Sequence, residues 1–367
     1  MVEQPPPSQL TSLLYNFLLS PQHHITKQIQ QNKTMPSSLS TTINQVFPGK
    51  PIFTDKDILS QPGKIFLITG GAAGLGYELT KILYQKGARI YILTRSPTKA
   101  SAAISAIKSS TPTPPPNQGA DIKFIFLDLA DLTTIKPAVA AFAAQESKID
   151  VLWNNAGIGY APLGTKTKQG YEVNMGTNCL APYLLTQLLL PYLRHAAQTA
   201  SSNTVRIVFS GSPAVDSHAP VGGVPFTALK DPDAITNTTV NYAVSKTGNW
   251  FLANEFSSLV AKDGIVSICQ NPGNLKTGIW DPVPWVLRKM MQITMHPPVY
   301  GAYTSLWSGL SEGITVEDGG RYVVPWGKWH PCPREDLSAA IKSEEQGGTG
   351  EAGVFWKWCG EQTKIFA

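Results

Sequence analysis

Lys64-Ile65-Phe66-Leu67-Ile68-Thr69-Gly70-Gly71-Ala72-Ala73-Gly74-Leu75-Gly76 is the stretch on which the reading of this chain turns. Residues 65–69 are apolar or β-branched without a charge, as in a strand covered on both faces. The run passes directly into a glycine-rich turn and then into helix-period sequence over Tyr77–Lys86. Gly70 permits the tight turn. Gly74 and Gly76, on either side of Leu75, keep side chains off the turn and let the helix pack closely on the strand. Such a turn, closed at its start by Thr69, lets backbone N–H groups at a helix N-terminus approach a pyrophosphate.

Outward from this unit the same alternation repeats. Strand-like runs occupy Lys64–Gly70, Arg89–Arg95, Asp121–Leu129, Asp150–Gly157, Val205–Ser212, Gly264–Gly273 and Gly320–Gly327. Helix-period stretches such as Tyr171–His195 and Tyr242–Lys262 separate them. Strands alternating with helices of this length imply an α/β, doubly wound parallel sheet of about seven strands with helices on both faces. The Pro-rich run Thr111–Pro116 reads as a surface loop. Two irregular insertions, 213–240 and 277–298, read as substrate loops, and the Trp-rich end of the chain reads as a cap.

Composition bounds the function. The chain has 367 residues, 42% of them apolar and 15% charged, with a net charge of +5. That charge is too thinly spread for a nucleic-acid partner. Cys179, Cys269, Cys332 and Cys359 form no C-x-x-C pair and the histidines no H-x-x-x-H pair, so free thiols and no metal are expected. No apolar stretch reaches the roughly 18 residues of a membrane span. The short run Leu10–Leu19 follows no basic residue, so a cytoplasmic protein is expected. Residues 1–47 read as a disordered extension, with Met35 as an alternative start, and 48–367 as a single nucleotide-binding domain.

The later motifs give the chain a family likeness. Asp128-Leu129, Asn154-Asn155-Ala156-Gly157, Tyr242-x-x-x-Lys246 and Pro272-Gly273-x-Leu275-x-Thr277 follow the T-G-x-x-x-G-x-G turn in order. In this set the chain resembles the short-chain dehydrogenase/reductase superfamily in its compact branch, most of all retinol-dehydrogenase-like fungal reductases. The resemblance implies an adenine contact at Asp128 and Leu129 and a cofactor wall at Asn155, Ala156 and Gly157. It implies a nicotinamide cradle at Pro272, Gly273 and Thr277. It also implies catalytic roles for Ser212, Tyr242, Lys246 and Asn178, with Ser210 and Asn174 as the register alternatives. Many such reductases serve secondary metabolism, so an apolar metabolite is the implied substrate; the long helices imply a possible homodimer.

The residues carry chemistry of their own. Tyr242 and Lys246 are four apart on a helix and share a face. A nearby ammonium lowers a phenol's pKa, so Tyr242 can pass a proton to a carbonyl oxygen. A hydroxyl at Ser212 can polarise that oxygen. At the end of the second strand, Thr94-Arg95-Ser96 has no acid for a ribose diol, and Arg95 with Ser96 suits a 2′-phosphate, so NADP(H) is expected over NAD(H). The expected activity is interconversion of a carbonyl and an alcohol. The alternatives are reduction of an enone C=C bond on the same fold, and a non-catalytic NADP sensor. Trp280, Trp285, Met290, Met291 and Met295 are expected to wall the substrate.

Overall fold

The computed structural model describes residues 39–110 and 119–367, so most of the expected N-terminal tail and the run Thr111–Pro116 lie outside the described residues. In chain order the elements begin with α1 (Leu39–Val46), β1 (Ile65–Thr69), α2 (Gly74–Gln85), β2 (Arg89–Thr94), α3 (Pro97–Ser110) and β3 (Asp121–Phe126). There follow α4 (Ile135–Ala143), β4 (Val151–Asn154), α5 (Ala181–Ala197), β5 (Arg206–Ser210), α6 (Thr238–Val260) and β6 (Val266–Gln270). The chain ends with α7 (Pro298–Leu310), β7 (Tyr322–Val324), β8 (Lys328–Trp329) and α8 (Glu351–Thr363).

The strands form one sheet in the order β3-β2-β1-β4-β5-β6-β7-β8. All neighbours are parallel except β7 and β8. The apolar runs of the sequence follow from this layering. In β1 all five residues are buried. Ile65 and Leu67 join the core under α4, α5, α6 and α8, whereas Phe66 and Ile68 join the core under α2, α3 and α7. With helices on both faces, neither side of the strand meets water. The order reverses between β1 and β4, so loops at the carboxyl ends of β1, β4, β5 and β6 surround one crevice.

Three expectations need correction. The sheet has an eighth strand, β8, which turns back antiparallel to β7 over two residues. Residues 39–46, expected to be disordered, form α1. The helix expected over Tyr171–His195 is interrupted: a turn at Val173–Met175 leads into a π-helical turn, Gly176–Leu180, and only then into α5. The insertion 213–240 carries short helices at Ala214–His218 and Phe226–Lys230 before α6 begins. The helix Trp285–Met291 stands within 277–298.

The core leaves little slack around Trp153. Its indole Nε1 donates to the Ser305 carbonyl at 3.0 Å, and Phe66 meets it edge-on at 5.4 Å between centroids. A Cβ on Gly309 of α7 would overlap that indole. Gly309→Ala is therefore expected to destabilise the fold by about 1–3 kcal/mol through overpacking. Chemical denaturation checks this, and an unchanged midpoint would contradict the packing.

Candidate active site

Thr69, the last residue of β1, organises the turn that follows. Its carbonyl accepts from Asn155 Nδ2 at 2.9 Å, and its Oγ1 accepts from the Ala156 N–H at 2.9 Å. The ends of β1 and β4 are thereby locked together below the glycine turn. Gly70 has φ +70°, a conformation that L side chains avoid. A Cβ on Gly76 would collide with the Gly70 carbonyl and lie 2.8 Å from Asn155 Nδ2. Ala73 caps α2 without a side-chain hydrogen bond, so the first N–H groups of the helix remain for a ligand. Leu75 packs with Leu275 and Trp326, which joins the glycine turn to the loop after β6.

The remaining residues expected to meet a cofactor stand in the segments that follow β2, β3 and β6. Asp128 accepts from the Ala130 N–H at 3.0 Å, and Leu129 is buried in the core. Arg95 is exposed just beyond β2, and Ser96 Oγ accepts from the Lys99 N–H at 3.2 Å. The loop Pro272–Thr277 returns to the glycine turn, with Thr277 Cγ2 3.1 Å from where a Cβ on Gly74 would stand. Gly273 has φ +94° and lies under the Trp326 ring.

Helix α6 brings the titratable groups to the carboxyl ends of β4 and β5. Lys246 is buried, and its Nζ donates to the Ser210 carbonyl at 2.9 Å. A Cβ on Gly157 would stand 3.0 Å from both that Nζ and Asn178 Oδ1. Asn178 sits in the π-helical turn. Its Oδ1 accepts from the Ile158 N–H, and its Nδ2 donates to the Ile158 carbonyl and to Ser245 Oγ, each at 2.9 Å. Asn174 instead donates to Glu172 at 2.7 Å, away from this cluster.

Ser212, rather than Ser210, adjoins the phenol. The Ser212 hydroxyl is a hydrogen-bonding neighbour of Tyr242. The Tyr322 hydroxyl holds both peptide groups of Ser212, accepting from its N–H and donating to its carbonyl at 2.8 Å each. The Ser210 carbonyl is occupied by Lys246 and Asn249. In the sequence Tyr322 is legible only as part of a strand, and nothing in its spacing marks it as a support of Ser212.

Electrostatically the site is governed by burial. Burial pushes the Tyr242 phenol up to about 12, partly offset by the Ser212 hydroxyl. Burial pushes the Lys246 ammonium down to about 8. The expectation that the ammonium would hold the phenol below its usual range is thus corrected: Nζ stands 5.7 Å from the ring centroid, and burial is the largest influence on the phenol. At neutral pH the pair is a phenol and an ammonium, a proton donor beside a cation.

Aromatic groups close the site. Tyr160, with φ +56°, lies 5.0 Å from the Tyr242 ring and stacks on Trp280 at 5.1 Å between centroids. Of the five residues expected to wall the substrate, Trp280 alone makes this contact. Trp285 and Met290 face solvent, 69% and 43% exposed, on a helix none of whose residues is buried. Tyr160 carried no sequence signal, since a left-handed backbone at a tyrosine has no residue signature.

A doubly wound sheet, a glycine turn at its switch point and a buried Tyr–Lys pair define a Rossmann-type oxidoreductase. The short chain dehydrogenase model matches residues 64–230. The short-chain dehydrogenase/reductase iacJ of Pestalotiopsis fici is 47% identical over 326 residues, 88% of this chain and 97% of that protein. The chain belongs to the short-chain dehydrogenase/reductase family. Two solved structures share the fold. One is a 3-ketoacyl-(acyl-carrier-protein) reductase from Brucella melitensis complexed with NADH, 21% identical with TM-score 0.54, matching 73% of this chain and 98% of that one. The other is an Escherichia coli CFT073 protein complexed with NADPH, 20% identical with TM-score 0.55, matching 72% and 97%.

The cradle fits a nicotinamide dinucleotide, because the uncapped N-terminus of α2 follows a turn that Gly70 and Gly74 hold at positive φ, an arrangement that suits a pyrophosphate. Gly76→Ala should therefore weaken dinucleotide binding by at least about tenfold, since its Cβ displaces the Gly70 carbonyl, while leaving the circular dichroism spectrum intact. Fluorescence titration with NADPH measures the change, and undiminished affinity would contradict the cradle.

Proposed function

We propose that this protein is an NADP(H)-dependent oxidoreductase that interconverts a carbonyl and an alcohol on an apolar small molecule. The observation that carries the reading is the meeting of Ser212, Tyr242 and Lys246 at the carboxyl end of β5. In the reductive direction Tyr242 gives its phenolic proton to the substrate oxygen. Ser212, its backbone pinned by Tyr322, donates a hydrogen bond to that same oxygen and stabilises the charge developing there. Lys246 supplies a fixed positive charge beside the phenol and a donor to the cofactor ribose. Asn178 holds the Ile158 peptide and Ser245 in place next to Lys246. The nicotinamide supplies the hydride.

The apolar substrate class is supported by Tyr160, Trp280 and Ile279 grouped around Tyr242. Such a setting excludes water and favours a flat or bulky apolar ketone over a small polyol. NADP(H) is supported by Arg95 and Ser96, which follow β2 with no carboxylate at positions 93–96. The family likeness to fungal reductases extends the reading to a metabolite of a biosynthetic pathway.

Tyr242→Phe removes the proton donor alone and should lower kcat by roughly 10²–10⁴-fold while NADPH affinity is retained. Ser212→Ala should cost more activity than Ser210→Ala, because Ser212 adjoins the phenol; the reverse order in steady-state assays would move the role to Ser210.

The pH profile has a definite sign. Lys246, with its pKa lowered to about 8, carries its proton below that pH and loses it above, whereas Tyr242 at about 12 stays protonated throughout. In the reductive direction kcat/KM is expected to be level below about pH 8 and to fall above it, and Lys246→Met should remove that limb. A profile rising through pH 8 would contradict the assignment.

Cofactor choice gives a further check. Arg95→Asp removes a cation and adds repulsion against a 2′-phosphate. A charge-assisted hydrogen bond contributes about 1.5–3 kcal/mol, so KM for NADPH should rise at least about tenfold while NADH use is level or improved. Equal losses with both cofactors would make Arg95 a plain surface charge.

A further inference from the structure

Gln45 comes from α1, outside the residues matched by the family model, yet it is buried between two loops of the site. Its Nε2 donates to Asp216 Oδ2 at 2.7 Å, and its Oε1 accepts from Asn271 Nδ2 at 2.9 Å. Asp216 lies on the short helix that follows Ser212, and Asn271 immediately precedes Pro272-Gly273. The Asn271 side chain in turn accepts from the Gly273 N–H at 2.9 Å.

The direction of this chain of hydrogen bonds is fixed from one end. His330 Nδ1 accepts from the Cys332 N–H, so its proton resides on Nε2, which donates to Asp216 Oδ2 at 2.8 Å. The Asp216 carboxylate can only accept, so the Gln45 amide must present NH₂ to it and its carbonyl to Asn271. Asn271 must then present NH₂ to Gln45 and its carbonyl to the Gly273 N–H. No member can flip without leaving a buried polar group unpaired, and that penalty makes the arrangement stiff. The segment that carries Gln45 is anchored beside it: Val46 O meets His296 Nε2 at 3.0 Å, and Gly49 O accepts from Trp326 Nε1 at 2.9 Å.

We propose that Gln45 is a positioning residue for the nicotinamide end of the cofactor, holding the Asn271–Gly273 turn and tying it to the segment after Ser212. The N-terminal helix is then a working part of the site rather than an appendage. This rests on the oxidoreductase reading above for the identity of the ligand, but the mechanical coupling does not.

The test uses the full chain with Gln45→Ala and with Gln45→Met, the latter close in volume and unable to make either hydrogen bond. Amide hydrogen exchange in the absence of ligand should quicken in both variants over 271–277 and 212–219. NADPH affinity should fall about fivefold or more, whereas 2′,5′-ADP, which lacks the nicotinamide, should bind as it does to the unaltered protein. A residue that merely stabilises the fold would not split the two ligands. Unchanged exchange over 271–277 in Gln45→Met, or equal loss of NADPH and 2′,5′-ADP, would overturn the positioning role. Failure of the unaltered protein to bind NADPH is a separate result, visible before any substitution, that overturns the oxidoreductase reading instead.

Discussion

Lys246 is a cation in the interior whose described partners include no carboxylate. Its Nζ rests on the Ser210 carbonyl, and burial has already pulled its pKa down to about 8. A charge so placed is tolerated only where its surroundings are rigid and polar in the right places. Much of the local architecture meets that demand. Gly157 leaves room for Nζ, Asn178 locks the neighbouring Ile158 peptide, and Asn249 shares the Ser210 carbonyl. The same desolvation keeps Tyr242 protonated, so one constraint sets both the charge that orders the site and the proton that the site can deliver.

The sheet and the main site were open to reading because each rests on a local rule. A strand covered on both faces is apolar over most of its length, and β1, β4 and β5 are buried at every position, with polar residues confined to their ends. A turn that places a carbonyl where a Cβ would stand must contain glycine, as at Gly76. Two groups four apart on a helix share a face, and Tyr242 and Lys246 do so on α6. These patterns survive translation from sequence to structure because they need no knowledge of distant parts of the chain.

What escaped the sequence depends on long-range contacts. Helix α1 spans only eight residues, Leu39–Val46, and at Gln45 it is anchored by hydrogen bonds to Asp216 and Asn271. Leu39, Ile43 and Val46 do recur at helical spacing, but over only eight residues, and the partners of Gln45 lie 171 and 226 positions away. The π-helical turn at Gly176–Leu180 inserts a residue into an otherwise regular pattern, and it lies where Asn178 must face Ile158 and Ser245. Interruptions of this kind concentrate at functional positions. Tyr322 supports Ser212 across 110 positions of sequence, and Tyr160, after β4, meets Trp280, after β6, so neither has a local signature. The exposed helix Trp285–Met291 shows the opposite failure: apolar composition was legible, but the direction it faces was not.

The central claim is a chemical one, that hydride reaches a carbonyl carbon while Tyr242 protonates its oxygen. NADPH bearing deuterium at the transferring position of C4, incubated with the protein and a panel of bulky apolar ketones and enones, tests it directly. Mass and NMR analysis of the products should find one deuterium on a new carbinol carbon for each NADPH consumed. Deuterium on the carbon β to a surviving carbonyl would show C=C reduction instead, and no consumption of NADPH across the panel would contradict the account altogether.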